Sequence, residues 1–225
     1  LSSASLEYLE VNPDGDPDAA IVWLHGLGAD GHDFYPIVPE LGLPSSHRIR
    51  FVFPHAPTRP ITINQGMSMR AWYDIKEFGL APRQDEEGIR DSEKLIFSLI
   101  KKERARGISA SRIILAGFSQ GGAMALHCGL RCSPALAGIM ALSSYLLLPD
   151  QTKEEAGRKA LGLPIFMAHG THDPVVPHAY GKLSCEILEQ LGASNISWHS
   201  YPIAHSVNDE EIRAIGTWIQ KVLLT

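Results

Sequence analysis

Ser119 stands in Gly117-Phe118-Ser119-Gln120-Gly121-Gly122, directly after the apolar run Ile113-Ile114-Leu115-Ala116 and directly before the helix-compatible run Ala123-Met124-Ala125-Leu126. A Gly-x-Ser-x-Gly pattern between a strand and a helix forms a turn so sharp that only small residues fit beside the serine, which is held strained with its hydroxyl exposed. The same turn aims the first N–H groups of the following helix at whatever the serine attacks. These residues are expected to make a nucleophile with an oxyanion donor built in. Such a hydroxyl needs a general base, and the base needs an orienting carboxylate. Ile165-Phe166-Met167-Ala168 reads as a buried strand running into His169-Gly170-Thr171-His172-Asp173-Pro174, which makes Asp173 the carboxylate candidate. The alternating run Ile196 to Tyr201 leads into Pro202-Ile203-Ala204-His205, which makes His205 the base candidate.

An isolated Asp-Pro pair reads as a turn, and most of the ten histidines are expected to be ordinary surface or core residues. His25, His47, His55, His127, His169, His172, His178 and His199 have no base role in this reading, and His32 lies in a loop with no strand leading into it. Asp173 and His205 differ in that each follows a strand at its carboxyl end, where open α/β sheets bind their ligands. A second oxyanion donor is expected from the loop after an early strand. Ile21-Val22-Trp23-Leu24-His25-Gly26-Leu27-Gly28 fits, with glycines that let the backbone approach a reacting carbonyl. The donors are then the N–H groups of Leu27 and Gln120, and His25 is expected to brace the loop. No Gly-Lys-Ser or Gly-Lys-Thr follows these glycines, which excludes a Walker phosphate loop. The serine chemistry calls for no metal and no organic cofactor.

The elements that must position these residues follow from periodicity. Strands are expected at Leu6 to Val11, Ala20 to Leu24, Ile49 to Phe53, Ile113 to Ala116, Ala137 to Leu142, Ile165 to Ala168 and Ile196 to Tyr201. Helices are expected at Asp85 to Arg106, Gln120 to Leu130, Tyr180 to Leu191 and Asp209 to Leu223, the last opened by a capping box of Asn208 and Glu211. From Pro54 to Pro82 runs a long connection rich in turn formers, yet carrying Met67, Met69, Trp72 and Tyr73, too apolar for a simple solvated loop. Strands alternating with helices mean a mostly parallel sheet covered on both faces.

With these residues in place, the chain resembles the acyl-protein thioesterase, phospholipase and carboxylesterase family of small α/β-hydrolases. The matching pieces run through nearly the whole length: Leu24-His25-Gly26-Leu27-Gly28, Pro54-His55-Ala56-Pro57, Met69-Arg70-Ala71-Trp72-Tyr73-Asp74, Gly117 to Gly122, Leu142-Ser143, His169 to Asp173 and Tyr201-Pro202-Ile203-Ala204-His205. The resemblance implies an α/β-hydrolase fold, a Ser119, Asp173 and His205 triad, oxyanion donors at Leu27 and Gln120, and a homodimer. Ala29-Asp30-Gly31 stands where animal thioesterases have Asp-Thr-Gly, which resembles the bacterial carboxylesterase branch. The expected activity is therefore hydrolysis of carboxylic esters with short to medium acyl chains. Acyl-protein thioesterase or lysophospholipase action on the same triad is the alternative, and a non-catalytic binding module on this fold is the reading of another class.

Length and composition agree. At 225 residues and 44% apolar content, residues 1–225 are expected to form a single domain with a substantial core. The balance of 20 basic against 25 acidic residues argues against nucleic acid, whose phosphates demand a basic surface. No apolar run approaches a membrane span, and Leu1 to Ser5 shows no basic-then-apolar leader, so a cytoplasmic location is expected. Cys128, Cys132 and Cys185 suit a reducing compartment and read as packing residues, not metal ligands. For the substrate, Tyr145-Leu146-Leu147-Leu148 and Val175-Val176 flank the sheet's carboxyl edge. With Trp72 and Leu27 they are expected to line an acyl pocket, Trp72, Leu146 and Val176 foremost. No basic cluster awaits a carboxylate or phosphate, which favours a small, uncharged ester or thioester substrate.

Overall fold

A computed structural model describes residues 6–77 and 84–224. The leader reading of Leu1 to Ser5 and the part of the long connection at 78–82 lie outside the described residues. The main sheet is built from β1 (Tyr8–Val11), β2 (Ala19–Leu24), β3 (Ile49–Pro54), β6 (Ile113–Phe118), β7 (Gly138–Leu142), β8 (Ile165–Gly170) and β9 (Ile196–Tyr201). Between β3 and β6 the chain adds a small hairpin of β4 (Thr58–Ile61) and β5 (Met67–Arg70). The helices are α1 (Glu86–Ala105), α2 (Gln120–Arg131), α3 (Pro149–Glu155), α4 (His178–Gln190) and α5 (Asp209–Leu223).

The sheet order is β1-β3-β2-β6-β7-β8-β9, with β1 antiparallel to β3 and every other pair parallel. This is the mostly parallel, two-sided sheet anticipated from the alternation of elements, and it is the α/β-hydrolase fold that the resemblance implied. Its central strands are apolar without a break because both faces are covered. In β2, Ala20, Val22 and Leu24 pack with α1 and α2 residues such as Ile89, Ile96 and Met124. The alternate residues Ala19, Ile21 and Trp23 pack on the opposite face with Phe51, Phe53 and, from α5, Ile215 and Ile219. The chain leaves β2 for β3 on one side and returns to β6 on the other, so the carboxyl ends of β2 and β6 flank a crevice at the switch point, where ligands bind in such sheets.

Three expectations are corrected. The long connection contains the β4–β5 hairpin, which Pro60 and the brevity of both strands conceal; proline is tolerated there because a two-stranded sheet is all edge. Helix α3 follows a left-handed Leu148 (φ 46°) and opens on Pro149, too short to show a periodic pattern. The capping box at α5 is half formed: Asn208 Oδ1 accepts the Glu211 N–H at 2.9 Å, but the Glu211 carboxyl makes no return bond. Among the described residues no helix is long and apolar enough to cross a membrane.

The Glu211 carboxyl is fully buried, both oxygens lack hydrogen-bond partners, and burial pushes its pKa up to about 8. The folded state thus holds this proton more tightly than the unfolded chain, whose carboxyl titrates near the ordinary 4.5. The contribution to stability is complete below about pH 4.5, falls as pH rises and is gone above about pH 8, a span on the order of 5 kcal/mol. Glu211→Gln should flatten this decline and be more stable than the wild type at pH 8.5, as read from urea midpoints at pH 5 and 8.5. Parallel declines in the two proteins would show that Glu211 is not the group responsible.

Candidate active site

Ser119 is the sharpest feature of the backbone. Its φ of 54° and ψ of −120° place a non-glycine residue in a sparsely populated region, a strain of order 1–3 kcal/mol that the surroundings must impose. They do so through the Ser119 N–H, which donates to Leu142 O at 2.8 Å, and the Ser119 carbonyl, which accepts the Ala123 N–H at 3.0 Å. The flanking glycines are required by contact. A Cβ on Gly121 would lie 2.2 Å from the Leu24 carbonyl oxygen, and one on Gly117 2.3 Å from the Gly121 backbone. Helix α2 therefore begins against the end of β2, bringing Gln120 at its first turn beside the Leu27 loop.

That loop is braced by buried polar groups. His25 Nδ1 donates to Gly26 O at 2.7 Å and its Nε2 accepts the Ala56 N–H at 3.0 Å, a pattern that defines the neutral tautomer. Burial lowers its pKa to about 4, so the ring stays neutral through the ordinary pH range. Trp72 Nε1 donates to His25 O at 2.9 Å. The Trp72 N–H donates to Gln120 Oε1 at 2.7 Å, and Gln120 Nε2 donates to Tyr73 O at 2.8 Å. One short segment thus ties the β2 loop to the start of α2. Gly28 N–H donates to Arg70 O, and Arg70 Nη1 donates to Ala56 O, so Arg70 serves the same scaffold. Among the described residues the N–H of Leu27 donates to no backbone carbonyl, and that of Gln120, first in its helix, has no intrahelical acceptor.

Asp173 and His205 come together at the carboxyl ends of β8 and β9. Asp173 Oδ2 accepts from His205 Nδ1 at 2.6 Å, while its Oδ1 accepts the N–H groups of Val175 and Val176, each at 2.8 Å. The Asp173 side chain is wholly buried and His205 partly exposed. His205 packs on Phe118, the residue before Ser119, with ring centroids 4.7 Å apart. Among the described residues neither His205 Nε2 nor the Ser119 hydroxyl makes a hydrogen bond, to one another or to a third group. Sequence reasoning missed His169. Its Nε2 donates to Val176 O at 2.9 Å and lies 3.5 Å from Asp173 Oδ2, and burial lowers its pKa. It is a neutral ring packed behind the carboxylate. Its place at the end of a buried strand, four residues before Asp173, was the available signal.

A cavity of about 230 Å³ opens beside Ser119 and Gln120; its wall is mainly apolar or aromatic, with Leu27, Ile75, Tyr145, Val175, Val176 and Tyr180, and Asn64 and Glu77 also line it. Of the anticipated pocket residues, Leu27, Tyr145, Val175 and Val176 are in this wall. Trp72 and Leu146 are not. Trp72 is fully buried and engaged with His25 and Gln120 behind the wall. Leu146 packs into the core, its N–H held by Ser184 Oγ. Tyr180 and Ile75 were missed because no local pattern distinguishes a cavity wall from core.

Fold and elbow together define the class, a serine hydrolase of carboxylesterase or thioesterase type on the α/β-hydrolase fold. The chain belongs to the phospholipase/carboxylesterase family, whose profile matches residues 7–223. It is 41% identical to acyl-protein thioesterase 1 of Gibberella zeae, covering 99% of this chain and 98% of that one. With acyl-protein thioesterase 1 of Emericella nidulans it shares 39% identity over 91% and 90% of the two chains. Among solved structures, Arabidopsis thaliana SOBER1 superposes with a TM-score of 0.86 at 30% identity, covering 91% of this chain and 99% of that one. Zea mays acyl-protein thioesterase 2 has the same TM-score at 29% identity, over 96% and 99%. These relatives correct the placement in a bacterial carboxylesterase branch: the Bacillus cereus carboxylesterase, 17% identical with a TM-score of 0.73, shares the fold alone. Two residues, Ala29 and Asp30, carried that placement, and identity along the whole chain outweighs them.

The scaffold position of Trp72 generates a test. Trp72→Phe keeps the ring but removes the donor to His25 O, leaving a buried carbonyl unpaired at a cost of about 1–3 kcal/mol. kcat/KM should fall about tenfold and by the same factor for acetyl and octanoyl esters, as measured across a chain-length series. A loss confined to the longer esters would return Trp72 to the pocket wall.

Proposed function

We propose that this chain is an acyl-protein thioesterase acting through a Ser119–His205–Asp173 triad, with Leu27 and Gln120 as backbone oxyanion donors. The observation that carries the reading is the apolar cavity opening at the strained Ser119, which suits an uncharged acyl chain. The names of the fungal relatives, matched over nearly the whole chain, favour a protein thioester over a simple short-chain ester. In this reading His205 Nε2 takes the Ser119 proton as Oγ attacks the thioester carbonyl. Asp173, bonded to Nδ1, holds the imidazole in the required tautomer and stabilises the imidazolium. The developing oxyanion is met by the two free N–H groups, each worth on the order of 3 kcal/mol in the transition state. The C–S bond breaks, His205 gives its proton to the departing sulfur, and water activated by the same ring hydrolyses the acyl-enzyme.

Two outcomes follow from the triad and its cavity. A fluorophosphonate should label the wild type once per chain, Ser119→Ala should not be labelled, and chelators should leave activity unchanged. Intact-protein mass spectrometry reads the adduct, and an unlabelled wild type would favour the non-catalytic reading. For the cavity, kcat/KM on thioesters should rise with acyl length by up to about fourfold per buried methylene, the equivalent of about 0.8 kcal/mol, until the cavity is filled. Val176→Phe should move the optimum to shorter chains. A panel of oxygen esters, thioesters and lysophospholipids with matched chains measures both effects. A clear preference for the lysophospholipids, or an optimum that does not move, would overturn the assignment.

A further inference from the structure

A second cleft, of about 410 Å³, meets the triad from the other side. His205 and Phe118 line it, whereas Ser119 and Gln120 line the acyl cavity, and the two linings share no residue. Acyl transfer makes the two sides inequivalent. The acyl chain lies with the oxyanion donors beside Leu27 and Gln120, while the departing sulfur must come within hydrogen-bonding reach of His205, which protonates it. Whatever the sulfur is attached to therefore extends toward the His205 side. The floor of that cleft is apolar, with Phe34, Ile37 and Ile212, and Asp33 and Glu40 are its charged residues.

We infer that this cleft holds the polypeptide part of the substrate, and that Asp33 and Glu40 select an acylated cysteine flanked by lysine or arginine. The inference rests on the thioesterase reading for the bond that breaks, but not for the charge preference. No lysine or arginine lines the cleft, and among the described residues neither Asp33 nor Glu40 has an ion-pair partner. Both residues are exposed, so a basic side chain can pair with them while remaining largely hydrated. Partial desolvation, followed by the neighbouring Asp30 carboxylate, raises the Asp33 pKa, the direction of a negative site without a compensating cation. The methylene stem of a lysine or arginine can lie along Phe34 and Ile37 while its charge stays at the mouth. The chain's formal charge of −5 favours approach by a basic segment.

The test uses octanoylated peptides identical except for two flanking residues, lysine, glutamine or glutamate, made once on cysteine and once on serine. Wild-type kcat/KM at low ionic strength should be about fivefold or more higher for lysine flanks than for glutamate, the scale of two exposed ion pairs, and the ratio should shrink with added salt. Asp33→Asn with Glu40→Gln should bring the ratio near one, while kcat/KM on a small neutral octanoyl thioester stays at the wild-type level and reports an intact active site. Cleavage of the serine series alone, with the lysine preference retained, sinks the thioesterase reading and keeps the cleft assignment. Equal rates for all three flanks, a preference unchanged in the double variant, or failure to cleave either peptide series overturns the cleft assignment.

Discussion

The constraint on which the rest of the site depends is the close approach of β2, β6 and α2 around Ser119. The chain must leave β6, turn at a residue with φ of 54°, and begin a helix whose first turn touches the carbonyls of Leu24 and His25. Nothing larger than glycine fits at Gly117 or Gly121. The strain is not local to the serine; it is imposed by a parallel sheet whose central strands are buried on both faces and cannot shift to relieve it. A serine held in this way presents its hydroxyl at the switch point of the sheet and sets the direction of the Gln120 N–H.

Around this turn the structure places neutral histidines where charged ones would be harmful. His25 and His169 are both buried, both hydrogen-bonded to backbone groups, and both shifted toward the neutral form by burial. His25 holds the Leu27 loop against the Ala56 N–H, and His169 backs the Asp173 carboxylate. His205 differs in being partly exposed and in directing Nδ1 to a carboxylate. Three similar rings thus have three roles, set by their partners and by water access. The two Val175 and Val176 N–H bonds to Oδ1 anchor Asp173 independently of His205, so the carboxylate can orient the ring without being oriented by it.

Trp72 shows how one residue can link two parts of the candidate site without lining its cavity. Its backbone N–H holds the Gln120 side chain and its indole holds the His25 carbonyl. The Leu27 loop and the start of α2, which carry the proposed oxyanion donors, are therefore tied to the same segment. The space around Ser119 and His205 is divided: the Leu27 and Gln120 side opens to a mainly apolar cavity that Glu77 also lines, and the His205 side to a cleft lined by Asp33 and Glu40.

Much of this was legible in the sequence. Gly117 to Gly122 specified the elbow because only glycine survives contacts that tight. The central strands were legible because burial on both faces demands continuous apolar runs, and Asp173 and His205 were singled out because each lies in the loop at the carboxyl end of a strand, a continuous apolar one before Asp173 and an alternating one before His205. What the sequence could not supply was anything set by residues distant in the chain. Trp72 and Leu146 have the composition of a pocket wall, yet packing puts them behind it. Ile75 and Tyr180 carry no local sign of a cavity and form part of the wall. The β4–β5 hairpin is paired despite Pro60, and Glu211, whose sequence context specifies half a cap, is buried without a partner. Local patterns determine which elements form and which residue types can react. Which side of a side chain faces a void, another backbone or water is decided only when the elements pack, because that depends on contacts between segments that no local pattern encodes.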